Sequence, residues 1–236
     1  MTFNPRGLNS VSEVIMSFPG SRILTSPPLA SADLIEAFRT VVTPHISDNM
    51  GRHIGARGLT RYNRTGKLVG TALTVKTRPG DNLYIYKALT LLEEGHVLII
   101  DAQGDTNNAV IGELIKLYAQ QRGCVGFIVD GAIRDVASFE DTPCYARSVV
   151  HCGPYKSGPG EINVPVSIGG MIVNPGDIIV GDEDGLVAFS QADAEEVLAK
   201  ARAHEAHEEE VKSEIASGAV DQSWLDKVLE KAGLAH

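Results

Sequence analysis

The chain has 236 residues, a formal net charge of −9 at pH 7 and a pI near 5.2. Hydrophobic residues make up 43% and charged residues 22%, as in ordinary globular proteins long enough to bury a core. The acidic balance argues against broad nucleic-acid binding, and we find no apolar run of signal-peptide or membrane-span length. The three cysteines show no metal-knuckle spacing, so a reducing cytoplasm is the predicted compartment.

The first part of the chain is predicted to be an arm, and the rest to be the main body of one domain. Residues 1–40 begin rich in Pro, Ser and Asn and end in a helix at 31–40 that Ser31 caps. Residues 41–236 follow with no apparent linker. They begin with three predicted elements, which are a strand and turn at 65–82, a helix at 83–95 and a short buried strand at 96–101.

The middle of the chain predicts a βαβ unit. A helix is expected at 107–123, because one helical stripe collects apolar residues, namely Val110, Ile111, Leu114, Ile115 and Tyr118. A buried strand at 125–131 follows it, with Asp130 at its end and Gly131 turning the chain.

The last third changes character. Residues 163–189 read as short strands with Gly, Pro and Asp turns, and two charged helices are expected at 190–218 and 221–233. The predicted fold is therefore α/β, a single domain with a mixed sheet, flanking helices, a β-rich second half and long C-terminal helices.

Four residues carry the candidate chemistry. Within the stretch 107–123, Gly112 and Glu113 have the pattern of a glycine-led helix start, and Arg134 and Asp135 follow the next strand. Both pairs should therefore face the crevice at the carboxyl ends of the strands. A helix start attracts an anion, and arginine clamps a carboxylate with two hydrogen bonds. A site that offers one or two carboxylates and lets the ion keep several water ligands suits Mg²⁺ or Mn²⁺. Spacing alone favours the other interpretation, an Arg-Asp pair that caps a helix beneath a loop.

Other reactive residues are weaker candidates. Lys76 could form a Schiff base, but a lysine at a strand end usually extends into solvent. His151 and Cys152 are expected to be two loop residues. His204 and His207 imitate a zinc-protease motif but stand three apart, so they are interpreted as a solvated helix face. We find no glycine-rich turn that would receive the adenosylmethionine of a methyltransferase.

An ordered set of matches points to a known family. An acidic residue, twenty intervening residues and an Arg-Asp pair occur here as Glu113, Arg134 and Asp135. The flanking matches are RPGDN (78–82), GHVLIIDAQG (95–104), GFIVDGAIRD (126–135) and EINVPVSIGGMIVNPGDIIVGDEDGLVAF (161–189). Over about residues 45–218 the chain resembles the family of regulator of ribonuclease activity A (RraA) and the 4-hydroxy-4-methyl-2-oxoglutarate aldolases. The resemblance implies a swivelling β/β/α-like fold.

The resemblance also implies a class II pyruvate aldolase that depends on Mg²⁺ or Mn²⁺. It would cleave 4-hydroxy-2-oxo acids to pyruvate, with oxaloacetate decarboxylation as a related activity. Asp135 would bind the metal directly, Glu113 would bind it through water, and Arg134 would bind the substrate carboxylate or keto oxygen. Backbone amides of Gly112, Glu113, Leu114 and Ile115 would hold the pyruvyl carboxylate. Many of these aldolases have Asp where this chain has Glu113, which bears on substrate preference.

Assembly and the competing function also come from the resemblance. The family takes a glutamate from the C-terminal helix of a neighbouring subunit, and here Glu208 is the first candidate, with Glu209 and Glu210 as rivals. The implied assembly is a trimer or a hexamer. The alternative function is a non-catalytic regulator that binds a ribonuclease, since the regulator members of the family need not be catalysts.

Overall fold

The computed structural model describes residues 20–219 and 221–234. Its helices are Ala32–Phe38 (α1), Thr43–Asn49 (α2), Leu83–Leu89 (α3), Glu113–Gln120 (α4), Ala194–Ser217 (α5) and Ser223–Lys231 (α6), with 3₁₀ turns at Val136–Phe139 and Gln191–Asp193. Its strands are Arg22–Ile23 (β1), Thr60–Arg61 (β2), Leu68–Thr77 (β3), His96–Ile111 (β4), Gly126–Ile133 (β5), Cys144–Val149 (β6), Gly160–Ile162 (β7), Val166–Ile168 (β8), Met171–Val173 (β9), Ile178–Gly181 (β10) and Leu186–Phe189 (β11).

One mixed sheet organises the fold. Strands β3, β4, β5 and β6 run parallel side by side, and the described part of the sheet has the order β1-β7-β3-β4-β5-β6-β2. The hairpin β10–β11 pairs antiparallel with β3, while β8 and β9 form a separate hairpin. The predicted α/β fold with a mixed sheet and a β-rich second half is confirmed.

Both faces of the central strands are covered, which explains the continuous apolar stretches VLII in β4 and FIV in β5. Side chains alternate along β4: Leu98 and Ile100 pack on the side of α3 and α4, whereas Val97 and Ile99 pack on the side of β8 and β9. A third apolar cluster holds α1, α2 and α5 against the β10–β11 hairpin. Strand β1 pairs with β7, and residues 1–19 of the predicted arm lie outside the described residues. The division at residue 40 stays a prediction.

The helix predicted at 107–123 is wrong in its first part. Strand β4 continues to Ile111 through bulges, because its last residues pair with β5, and the helix spans only Glu113–Gln120. Val110 and Ile111 are buried in the strand, whereas Leu114 and Tyr118 are 63% and 50% exposed. An apolar run of this length fits either period, and pairing with a neighbouring strand selected the strand.

The following strand is longer than predicted. Strand β5 runs on to Ile133, so Asp130 lies inside it, where the Arg147 guanidinium donates to its carboxylate. Gly131 does not turn the chain; a Cβ there would lie 2.8 Å from the Ala102 side chain. Helix α3 also stops early, at Leu89.

The helices at the two ends of the described chain agree with the sequence. The Ser31 hydroxyl accepts from the backbone amide of Leu34 at the start of α1, and the two C-terminal helices are present as α5 and α6. Among the described residues, none of the helices combines the length and the apolar character that crossing a membrane requires.

Candidate active site

Two strand ends bring the predicted residues together. Strands β4 and β5 are parallel and finish at the same level, with Ile111 opposite Ile133, and the Arg134 amide donates to the Ile111 carbonyl at 3.0 Å. Gly112 therefore leaves the sheet beside Asp135. This is the shared edge that the sequence predicts, although β5 ends at Ile133 and not at Gly131.

Asp135 is held against the start of α4. Its Oδ2 accepts from the Glu113 backbone amide at 3.1 Å and lies 3.7 Å from Arg134 Nε. Asp135 has φ 53° and ψ 41°, a left-handed conformation that is uncommon for residues with a side chain and that recurs at functional sites. A Cβ on Gly112 would lie 2.4 Å from that same Oδ2, so the close approach requires glycine at 112.

A small cleft opens over this edge. It encloses about 340 Å³, including its solvent-open mouth. Five of the predicted residues line it, namely Gly112, Leu114, Ile115, Arg134 and Asp135. Glu113 contributes its backbone amide to Asp135, but its exposed side chain is not among the lining groups.

Asn82 is a cleft residue that sequence reasoning missed. It follows β3 and is 3% exposed, and its Nδ2 donates to the Val110 carbonyl at 3.1 Å. Its Oδ1 is buried and has no hydrogen-bond partner among the described residues. A buried oxygen without a partner, in a residue that lines the same cleft as Arg134 and Asp135, fits a bound ligand that completes its contacts. Asn82 is the last residue of the RPGDN match, but nothing in that sequence indicates that its side chain lines a site.

Lys156 is the second missed residue. Its Nζ lies 5.6 Å from the centre of the Tyr86 ring, and both side chains line the cleft. The fully buried carboxylate of Asp81 positions this loop, because its Oδ2 accepts from the amides of Ser157 at 2.6 Å and Gly158 at 3.0 Å. In the sequence, Lys156 stands in a glycine-rich loop with no phosphate-loop pattern, so only the backbone geometry identifies it.

Glu208 lies away from the cleft of its own chain. Its carboxylate contacts His45 Nε2 at 3.0 Å and His204 Nε2 at 3.3 Å, where α5 crosses α2. The hydrogen bond from His45 holds the pKa of Glu208 below its ordinary value. Its rivals are engaged locally: Glu209 pairs with Lys212 at 2.7 Å, and Glu210 lies 3.8 Å from His207.

The remaining candidates stay apart from the cleft. His207 is exposed, as interpreted from the sequence, but the solvated interpretation is wrong for His204, whose ring stacks on His45. Lys76 is exposed and lines a different cleft. His151 Nε2 and Cys152 Sγ lie 3.7 Å apart on an exposed loop.

Comparison with known proteins assigns the family. Residues 43–188 match the family model described as RraA-like, Aldolase/RraA. A protein of Halalkalibacterium halodurans, provisionally named 4-hydroxy-4-methyl-2-oxoglutarate aldolase, is 37% identical over 207 residues, which are 85% of this chain and 97% of that protein. The chain belongs to the RraA-like family.

Solved structures carry the same family fold. An uncharacterized protein from Pseudomonas syringae pv. tomato is 25% identical with a TM-score of 0.71, covering 81% of this chain and 96% of its own. The RNA-processing inhibitor RraA from Thermus thermophilis is 26% identical with a TM-score of 0.58, covering 63% and 92%. The RraA-like family thus includes proteins named for an aldolase activity and others named for inhibiting RNA processing.

Proposed function

We propose that this RraA-like protein is a divalent-metal-dependent aldolase that releases pyruvate from 4-hydroxy-2-oxo acids such as 4-hydroxy-4-methyl-2-oxoglutarate. The observation that carries the proposal is the convergence of Arg134, Asp135 and the start of α4 in one cleft. A short 2-oxo acid and a hard metal ion need an arginine that clamps a carboxylate, an acidic oxygen ligand and backbone amides at a helix start. The same site would decarboxylate oxaloacetate, since that reaction also passes through the enolate of pyruvate.

The residues of the cleft fit a hard divalent cation. Asp135 offers a half-exposed carboxylate, and the same cleft is lined by Asn82, whose buried Oδ1 has no hydrogen-bond partner in the described part of the chain. Oxygen ligands suit Mg²⁺ or Mn²⁺, with Asp135 as the proposed direct ligand and Glu113 acting through water. When bound, such a cation supplies a Lewis acid for the electron density that develops on the 2-keto oxygen as the carbon–carbon bond breaks.

The chain's own residues would orient the substrate and handle its charge. Arg134 would bind the carboxylate or keto oxygen of the pyruvyl unit, and the amides of residues 112–115 would hold its carboxylate. Lys156, on a loop fixed by Asp81, would face the second carboxylate of the substrate. In the cleavage step the C4 hydroxyl would give its proton to a water held by Glu113, C3–C4 would break, and C4 would become the carbonyl carbon of the second product. The bonding pair remains on C3, which then takes a proton to give pyruvate.

A pyruvate-release assay tests the proposal. A panel of 4-hydroxy-2-oxo acids and oxaloacetate is offered to the metal-free protein, and pyruvate is followed with and without Mg²⁺ or Mn²⁺. We expect turnover that EDTA abolishes and either cation restores, and none from Asp135→Asn. Full activity in EDTA together with inactivation by borohydride and substrate would instead assign the chemistry to a lysine Schiff base.

We further propose that the active enzyme is a homo-oligomer, a trimer or a hexamer. Beside the cleft, α4 exposes Leu114, Leu117 and Tyr118 by 50% or more, an apolar surface that a second subunit would cover. Glu208 would then complete a neighbour's cleft. Mixing inactive Glu208→Gln with inactive Asp135→Asn subunits should restore partial activity. A monomer by light scattering, or no rescue after demonstrated subunit exchange, would place the whole site within one chain.

A regulator that binds a ribonuclease is the second candidate, favoured by the similarity to the inhibitor RraA of Thermus thermophilis. The two candidates differ in what they need from the cleft. An Asp135→Asn protein that still inhibits a purified ribonuclease, alongside a wild-type protein without turnover on the whole panel, would support the regulator. Turnover that depends on Asp135 would support the aldolase.

A further inference from the structure

We propose that His45, His204 and Glu208 form a second metal site, at the junction of α2 and α5, that takes Zn²⁺ or a cation with the same preference for nitrogen ligands. This site lies outside the cleft of Asp135 in its own chain and does not depend on the proposed aldolase activity. Because the ion would engage the Glu208 carboxylate, the glutamate that reaches a neighbour's cleft would then be one of its rivals, Glu209 or Glu210. Its role would be to clasp the long C-terminal helix to the body of the protein.

The spacing of the three side chains matches a metal centre. One ligand atom from each residue lies within 4.8 Å of the other two. His45 Nε2 is 3.0 Å from Glu208 Oε2, and His204 Nε2 is 3.3 Å from Glu208 Oε1. Tetrahedral zinc with bonds near 2.1 Å keeps its ligand atoms roughly 3.3–3.5 Å apart. Bringing both imidazoles and the carboxylate onto one ion requires the longest of these separations, which is at most 4.8 Å, to close to that spacing.

The fold holds these ligands in place before any ion binds. His204 and Glu208 stand four residues apart on α5 and so share one face of that helix. His45 projects from α2, and its ring stacks on that of His204 with centroids 5.0 Å apart. The side chains of His45, His204 and Glu208 are 10%, 27% and 43% exposed, so the cluster has a fixed inner ligand and a carboxylate that solvent ions reach.

Hydrogen bonding alone is the competing account of the cluster. In a hydrogen-bonded trio, the Asn49 amide would donate to His204 Nδ1 at 3.3 Å, and both Nε2–H groups would donate to Glu208. His45 Nδ1 is buried with no hydrogen-bond partner in the described chain in either account. Metal binding therefore separates the two.

The ligand types select the class of ion. Two imidazoles and one carboxylate suit borderline transition metals, whereas Mg²⁺ prefers oxygen ligands alone. Three protein ligands leave a fourth position for water. Because the ligands come from α2 and α5, an ion that binds them together stabilises the folded state by mass action.

The test uses full-length Asp135→Asn protein without an affinity tag, so that the proposed catalytic cation does not contribute. Co²⁺ titration followed by visible absorption, and Zn²⁺ titration by calorimetry, should show one ion per chain. His204→Asn and His45→Asn should each weaken metal binding by more than about 10-fold. Losing a residue that only hydrogen-bonds to a metal ligand already costs about 10–100-fold in affinity. The matched control is His207→Asn on the exposed side of the same helix, which should bind as tightly as its parent.

Two results would overturn the site. One is the absence of stoichiometric Co²⁺ or Zn²⁺ binding to Asp135→Asn, and the other is equal affinity in His204→Asn and His207→Asn. Circular dichroism checks folding, and if His45→Asn does not fold, the more exposed His204 decides the outcome. Failure of the proposed aldolase is distinguishable, because it appears as absent pyruvate release from wild-type protein while Zn²⁺ binding to Asp135→Asn remains.

Discussion

Replacing Gly112 by alanine tests the geometry of the cleft with a single methyl group. The Cβ of the new residue would lie 2.4 Å from Asp135 Oδ2 and 2.9 Å from Arg134 Cγ, whereas ordinary contact begins at 3.4 Å. The backbone is no obstacle, since Gly112 has an extended conformation with φ −157° that alanine also adopts. The added methyl group therefore acts on the two side chains.

The size of the effect follows from the overlap. The Asp135 carboxylate must withdraw by about 1 Å, which also breaks its hydrogen bond from the Glu113 amide. A misplacement of about 1 Å at a reacting group costs on the order of 100-fold in rate, or roughly 2.7 kcal/mol of transition-state stabilisation. The side chain of Asp135 is 47% exposed and can rotate into solvent, so the free energy of unfolding should change by less than about 1 kcal/mol.

The assay is kcat/KM for pyruvate formation, measured beside a urea unfolding curve. Gly153→Ala is the matched comparison, because its Cβ would meet only the flexible tip of Arg134, at 3.1 Å from Nη1. We expect Gly153→Ala to lose much less activity than Gly112→Ala. Wild-type kcat/KM in Gly112→Ala, or a loss fully explained by unfolding, would refute the proposed role of the Asp135 position.

Three further predictions concern charge. Arg134→Lys keeps the charge but not the planar fork, so kcat/KM should fall by about 1.5–3 kcal/mol; unchanged kinetics would remove Arg134 from the substrate site. Lys156→Met keeps the aliphatic stem against Tyr86 and should lower kcat/KM with the urea midpoint unchanged. An unchanged kcat/KM would exclude the Lys156 ammonium group from substrate binding. Burial lowers the pKa of His96 in the folded protein. As the pH falls below the ordinary histidine pKa of about 6.5, the unfolded state therefore binds a proton first, and the free energy of unfolding decreases by at most about 1.4 kcal/mol per pH unit. His96→Asn should flatten that slope in urea midpoints between pH 7 and 5, whereas parallel slopes would contradict the assignment.

The sequence by itself determined the elements with unambiguous periodicity. The apolar strands β3 and β5 and the Ser31 cap are local signals. Strand β3 and the cap are found where they were predicted, and β5 is present but continues past its predicted end to Ile133. The edge that joins Gly112 to Asp135 was also predictable, because parallel neighbours must finish on the same side of a sheet.

Pairing between strands decided the secondary structure of the region whose sequence fits both a helix and a strand. Residues 107–111 fit a helical stripe as well as a strand, and only hydrogen bonding to β5 extends β4 to Ile111. The same pairing carries β5 past Asp130 and moves the turn to Arg134. Local propensity cannot settle such a choice, because the energy that settles it belongs to a strand about twenty residues away.

The groups that complete the sites depended on tertiary structure alone. Asn82 and Lys156 enter the cleft because β3 and a loop held by Asp81 end beside it, and neither has a neighbouring pattern that marks it. His45 and Glu208 are 163 residues apart and touch only because α5 packs across α2. Sequence supplies the chemistry of each side chain, whereas distances between segments far apart in the chain are fixed only when the core closes around them.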